Sequence, residues 1–226
     1  MEYKTVRLND RILHIPDSAL MAVLKQKTSD LRRTWQTSRS PISVFGRNDG
    51  LKKILPSHRK GRFFVVIDFV YAFHQITREK SAEVIRQLAD PAFDICFVKM
   101  GDKEVLPQGS PTSNYIFEIF MASAVDRPLI RWAFWNGAVV TRYCDNILVT
   151  LPKNDELTFA ELVNILAPFK VRFTPRKPKK WRNDEPIRFC GLILFKGGKV
   201  GISRQRKRQL LEKARQVSVL SLKRES

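Results

Sequence analysis

Residues Phe63 to Phe73 read FFVVIDFVYAF, a continuous β-branched and aromatic run interrupted by a single acid, Asp68. Flanked by Gly61 and the polar stretch TREKS, the run predicts a strand buried on both faces. A carboxylate among buried side chains costs on the order of several kcal/mol unless something cationic meets it. Asp145 repeats the oddity in RYCDNILV, within a predicted hairpin GAVVTRYCDNILVTLP whose tip, as a mere turn, would favour Asn-Gly or Gly-Gly. Taken singly, Asp145-Asn146 reads as a turn of ordinary turn residues, and Asp68 as the partner of an arginine such as Arg142. Taken together, the two acids suit a hard divalent cation, because Mg²⁺ is held by one or two carboxylates plus water and substrate phosphates. Two ions held this way clamp the attacking and leaving oxygens of an in-line phosphoryl displacement.

The charge balance points the same way. Lys and Arg number 41 against 22 Asp and Glu in 226 residues, a formal charge of +19, which makes a polyanion the expected partner and a small neutral ligand an insufficient one. The basic residues concentrate in HRKGR, RKPKKWR and RQRKRQ, each readable as a solvated patch facing that polyanion. Three scattered cysteines, Cys96, Cys144 and Cys190, form neither a disulfide framework nor a zinc pattern and predict a cytoplasmic protein. The N-terminal stretch MEYKTVRLNDRILHIP lacks the apolar core of a secretory signal, and no run approaches the roughly 20 apolar residues that span a bilayer. The expectation is a soluble chain without membrane contact.

Apolar spacing predicts an amphipathic helix over 17–36, with Asp17 or Ser18 as its cap, and another over 78–90. Ser110 as N-cap and Pro111 at the first helical position open an apolar helix through about Ile130. A helix over 155–168, a strand over 170–173 and a second hairpin, IRFCGLILF-KGGK-VGIS, follow. Strands and helices mix without a βαβ rhythm, so the fold class is α+β.

In this order the blocks VVIDFVYAF, LPQGSPTSN, TRYCDN and IRFCGLIL resemble the motifs of reverse transcriptases, particularly the bacterial branch that includes retron and group II intron enzymes. The resemblance runs from Arg11 to about Arg208. It implies a right-hand polymerase with an antiparallel palm sheet: fingers over 1–60, palm with catalytic motifs and primer-grip hairpin over 61–202, and a basic helix over 203–226 that begins a short or missing thumb. The implied activity is RNA-directed DNA synthesis, extending a primer 3′-hydroxyl with dNTPs on an RNA template by means of two Mg²⁺ ions, for which Mn²⁺ can substitute.

Carried over position by position, Asp68 and Asp145 become the catalytic, metal-binding acids, with the Phe69 carbonyl and Asn146 as further ligands. Phe73 falls where the family sets an aromatic ring against the sugar of the incoming nucleotide, a clash for the 2′-hydroxyl by which RNA precursors differ from DNA precursors. Gln108 and Gly109 match the turn against the nascent base pair, where glycine permits close backbone approach. Arg11, with Lys4 as a weaker companion, matches a triphosphate contact, Lys177 a palm lysine near the leaving pyrophosphate, and Phe189, Cys190, Gly191 and Leu192 the primer grip. Plainer readings stand beside these: a core aromatic for Phe73, a helix-start turn for Gln108-Gly109, a solvated strand edge for Arg11, a basic loop for Lys177. His58 and His74 have no metal-ligand spacing and receive no role.

Two departures qualify the resemblance. The box normally ending in two acids reads Tyr143-Cys144-Asp145-Asn146, so its last residue offers an oxygen without a charge, and a nucleic-acid-binding protein that keeps the palm without copying is the alternative. An RNA-templated RNA polymerase is a further rival, against which Phe73 argues. After the grip hairpin too few residues remain for a helical bundle, so thumb function would fall to the basic helix, to a partner chain or second copy, or to a further C-terminal segment. Mobile-element copying, antiviral defence and a domesticated synthesis module all suit the same residues.

Overall fold

The computed structural model describes residues 2–8, 11–47, 50–153, 156–204, 207–208 and 211–212. Strands β1 (Tyr3–Leu8) and β2 (Arg11–Pro16) pair antiparallel, with Thr5 opposite His14. Asp17 then caps α1 (Ser18–Thr37), its carboxylate accepting the Leu20 N–H at 2.7 Å, while Leu20, Leu24, Leu31 and Trp35 line the buried face. A short helix α2 (Gly50–Ile54) and a 3₁₀ segment (Leu55–Lys60) lead into β3 (Phe63–Phe69). The predicted helix over 78–90 is shorter: α3 (Arg78–Val84) is capped by the Thr77 hydroxyl and stops where Ile85 turns extended, leaving Ile85 and Leu88 in the core. A 3₁₀ turn over 91–96 and the hairpin β4 (Val98–Met100) and β5 (Lys103–Val105) follow.

The next helix begins later than its sequence signal. Ser110 caps nothing: its hydroxyl pairs with that of Thr112 at 2.9 Å and takes the Tyr3 hydroxyl at 3.3 Å, so α4 starts at Ser113 and runs to Met121. A π-helical turn, Ala122–Asp126, joins it to α5 (Arg127–Asn136), which ends on Gly137 with φ +59°, beyond the predicted end at Ile130. Strands β6 (Val139–Tyr143) and β7 (Asn146–Leu151) form the predicted hairpin, and α6 (Glu156–Leu166) the predicted helix. Strand β8 (Val171–Lys180) outruns its expected end at 173 because it pairs with the whole length of β3 through a bulge opposite Phe64–Val66. The second hairpin becomes a three-stranded sheet of β9 (Ile187–Phe189), β10 (Leu192–Leu194) and β11 (Val200–Ile202). The basic helix expected from 203 onward lies largely outside the described residues.

The central sheet is antiparallel, in the order β6-β7-β3-β8. Side chains alternate across a strand, and both faces of β3 are covered, as its unbroken apolar run predicts. Val65, Ile67 and Phe69 enter the larger core with Leu24 and Leu31 of α1 and Ile116, Phe117 and Phe120 of α4. Phe64 and Val66 enter a smaller core with Leu148, Trp181, Phe189 and Leu194. The α+β class is therefore the fold observed.

Buried His58 ties the 3₁₀ segment to this sheet, its Nδ1 on Thr150 Oγ1 and its Nε2 on Thr141 Oγ1, each at 2.9 Å. Burial holds its imidazole down at about 4. The unfolded chain, with an imidazole near 6.5, therefore binds the proton first on acidification. The stability His58 contributes is complete above about pH 6.5 and is lost as pH falls toward 4, a change of about 3 kcal/mol. Urea unfolding compared across that window should give a steeper pH slope for the native chain than for His58→Gln; parallel slopes would refute the assignment.

Candidate active site

Asp68 has the parity of Phe64 and Val66, so its carboxylate belongs to the smaller-core face. The strand does not carry it through a dry interior as the apolar run implies. β3 ends one residue later, at Phe69, and Tyr71 turns the chain at φ 51°, leaving Asp68 half-buried at the open end of the sheet. Its register partners are Asn146 on β7 and Arg172 on β8.

Asp145 arrives from the adjoining turn. Tyr143 pairs with Asn146, so Cys144 and Asp145 alone make the reversal, and Cys144 takes φ 51°, a value usually left to glycine at the first position of such turns. The Phe69 N–H donates to the Asp145 carbonyl at 3.1 Å, which locks the turn to the end of β3. Desolvation raises the Asp68 carboxyl above the ordinary range, the charge of Asp145 raises it further, and Arg172 and Arg11 oppose both. The two acids, separated by most of the β3–β7 sequence, thus share one electrostatic environment. Asn146 donates its amide N–H to Asp145 Oδ1 at 3.0 Å.

Arg142 does not neutralise either acid. It is wholly buried and pairs elsewhere, with Asp126 at 2.7 and 2.8 Å and with Glu118 at 2.8 and 3.0 Å. Ser43 donates to the same Glu118 at 2.7 Å, and Arg142 Nη1 donates to the Cys144 carbonyl at 3.0 Å. Burial works against the guanidinium charge, and Asp126 and Glu118 more than reverse it. The network braces the left-handed Cys144 from α4, the π-helical turn and β6 together, the kind of over-determination a strained turn residue requires.

Of the other predicted residues, Arg11 and the Cys190 turn come within electrostatic reach of the acids. Arg11 of β2 is near enough to influence Asp68. β2 is stitched to the Gln108-Gly109 turn, the His14 N–H donating to the Gln108 carbonyl at 2.8 Å. Gly109 has φ +113°, and a Cβ there would stand 3.1 Å from the His14 carbonyl oxygen, so the turn demands glycine for its approach to β2. Phe73 follows the β3 turn, half-buried, its ring 5.0 Å from that of Phe117. The β9–β10 turn has positive φ at both Cys190 and Gly191. Cys190 is exposed, and its thiol is raised by local desolvation and then by Asp145, Cys144 and Asp68, so this tip lies within electrostatic reach of the acids. Lys177 is not brought to them: it lies on the bulged part of β8, between the partners of Phe64 and Val66 and well down the strand from Asp68. The cation that β8 sets opposite Asp68 is Arg172. Its sequence signal, an arginine alternating with Val171 and Phe173, was too ordinary to single it out.

The donor set fits Mg²⁺ rather than a dedicated metal cage. Among the described residues no three His, Cys, Asp or Glu side chains gather to hold a metal. Two carboxylates and backbone or amide oxygens are what a magnesium ion shared with substrate phosphates needs.

Residues 8–194 match the reverse transcriptase (RNA-dependent DNA polymerase) family. The chain belongs to that family. No curated protein matches it in sequence. Among solved structures, telomerase from Candida albicans in complex with a fragment of telomeric RNA is similar at TM-score 0.57 and 13% identity, covering 89% of this chain and 46% of that one. Telomerase from Candida tropicalis is similar in its apo form (TM-score 0.59, 10% identity, 89% and 48% covered). Its form truncated from the C-terminal domain gives TM-score 0.58 at 10% identity, with 89% and 54% covered. This reverse transcriptase chain thus spans about half the length of those structures, and at such identities the likeness is one of fold. Among its described residues no helix is long and apolar enough to cross a membrane.

Proposed function

We propose that the chain is an RNA-directed DNA polymerase, and that Asp68 and Asp145 are its catalytic, metal-holding acids. One observation carries the reading: an acid at the end of β3 and an acid of the β6–β7 turn share the open end of the sheet, while the buried Arg142 nearby is consumed by Glu118 and Asp126. Asp68, Asp145, the Phe69 carbonyl and the Asn146 amide would hold two Mg²⁺, which when bound supply charge neutralisation for an in-line displacement. The sheet end positions the primer 3′-hydroxyl, Arg11 receives the triphosphate, and the Gln108-Gly109 turn supports the new base pair. Phe73, wedged on Phe117, stands as the barrier to a 2′-hydroxyl. The β9–β10 turn with Phe189, Cys190, Gly191 and Leu192 grips the primer end. On this reading residues 1–60 are fingers and 61–202 palm, and the motif strings favour the retron and group II intron-like branch.

The test is primer extension on matched RNA and DNA templates, with dNTPs and rNTPs and with Mg²⁺ and Mn²⁺ supplied separately. Extension of a primer on RNA with dNTPs supports the proposal. Nucleic-acid binding with no incorporation under either metal would select the non-catalytic reading that the missing acid at Asn146 favours. Asn146→Asp restores a charge to the metal-facing turn, so the Mg²⁺ concentration giving half-maximal extension should fall several-fold; an unchanged magnesium titration would remove Asn146 from the ligand set.

A further inference from the structure

A second polar recess lies away from the acids, where the end of α1 meets the π-helical turn and the start of α5. It has a volume of about 400 Å³, and its walls include Thr37, Ser38, Arg39, Ser40, Ser123 and Arg127. No acidic residue lines it. The one acid of the π-helical turn, Asp126, is buried and spends its carboxylate on Arg142. Arg39 and Arg127 are both exposed, and among the described residues neither has a carboxylate partner. The Arg39 guanidinium carbon stands over the Trp35 ring, 4.7 Å from its centroid, an attraction that tethers the group at the recess. Ser40 is buried, and its hydroxyl has no hydrogen-bond partner.

Each feature selects the same chemistry. Two uncompensated guanidiniums exclude a cation, and planar forks with several donors match the oxygens of a phosphate. Hydroxyls from Ser38, Ser40 and Ser123 can donate to the remaining oxygens. A buried hydroxyl without a partner is costly, and a ligand oxygen would recover that cost. The end of α1 would repel an anion through its free carbonyls, but those of Thr34 and Trp35 already accept the Ser38 N–H at 3.1 Å. The π-turn that presents Ala122 and Ser123 and leads into Arg127 is an irregularity of a kind often found at functional sites.

We propose that this recess is a phosphate-binding site, taking either the terminal phosphomonoester or a backbone phosphate of a nucleic-acid strand. It requires none of the palm acids, so it stands or falls apart from polymerase activity.

The probe is inorganic phosphate, titrated calorimetrically into the full chain at physiological ionic strength. The comparison pairs Arg39→Ala/Arg127→Ala with Arg32→Ala/Arg131→Ala, which removes the same charge from α1 and α5 outside the recess. Saturable binding that falls at least tenfold in the first double variant and stays within twofold in the second supports the site. No saturable binding, or equal loss in both, overturns it. Ser123→Asp, at an exposed position, should abolish the same binding by placing a carboxylate in the recess while leaving the melting temperature unchanged; retained binding would also overturn the proposal. A 5′-phosphorylated and a 5′-hydroxyl oligoribonucleotide of one sequence separate the sources. A preference for the phosphorylated strand that vanishes in Arg39→Ala/Arg127→Ala assigns the terminal monoester, and equal weakening of both strands assigns the backbone. Indifference of both strands to that variant would refute a nucleic-acid phosphate.

Discussion

Asp68→Ala and Asp145→Ala should each abolish extension of a DNA primer on an RNA template. On the proposed mechanism either change leaves one carboxylate where the metal ions need two, and metal-borne charge stabilisation is worth several kcal/mol. At about 1.4 kcal/mol per factor of ten, the loss is on the order of a thousandfold or more. The same substitutions should not weaken the fold. Asp68 is half-buried, disfavoured by desolvation and by the charge of Asp145, so removing either acid relieves repulsion and should hold or raise the melting temperature. Sites that bind charge are often built at the expense of stability in this way. Undiminished product from either variant would discard the mechanism. Loss of product together with a collapsed melting temperature would show instead that the acids are structural.

Arg142→Met should be the most destabilising single change on the sheet. The substitution strands Glu118 and Asp126, which are 2% and 0% exposed, without the cation that pairs with both among the described residues. Removing one partner of a buried ion pair typically costs about 3–5 kcal/mol, a large share of the roughly 5–15 kcal/mol that holds a domain folded. The Cys144 carbonyl also loses its donor, so the turn carrying Asp145 is released along with the pairing. Urea unfolding should show a midpoint lowered accordingly. Adding Glu118→Gln and Asp126→Asn should recover much of the loss, because the three residues act as one network and their effects are not additive. A midpoint unchanged in Arg142→Met, or no recovery in the combined variant, would contradict this account.

Several parts of the site were legible before any coordinates. The two-sided apolar run of β3 announced a strand with both faces covered, and the out-of-place acids fell at the end of that strand and in the β6–β7 turn, which the fold joins. Asp17 announced α1 through local capping chemistry. Other signals misled where a distant partner competed with the local one. Ser110 reads as a cap beside Pro111, yet Tyr3, more than a hundred residues away, and Thr112 claim its hydroxyl, and the helix waits until Ser113. Lys177 sits in a plausible basic stretch, but the β8 bulge carries it down the strand and sets Arg172 opposite Asp68 instead.

Residue type and spacing act over a few positions, so the chain alone settled which stretches extend, which coil, where the turns fall and which acids were costly to bury. Which charges meet is a matter of packing. Nothing near Arg142 in the chain names Glu118 and Asp126 as its partners, and nothing in Arg39 and Arg127, far apart in sequence, shows that they flank one recess. Those pairings arise only when α1, α4 and the π-helical turn close against the sheet, because electrostatic contact depends on distance in space and is blind to distance along the chain.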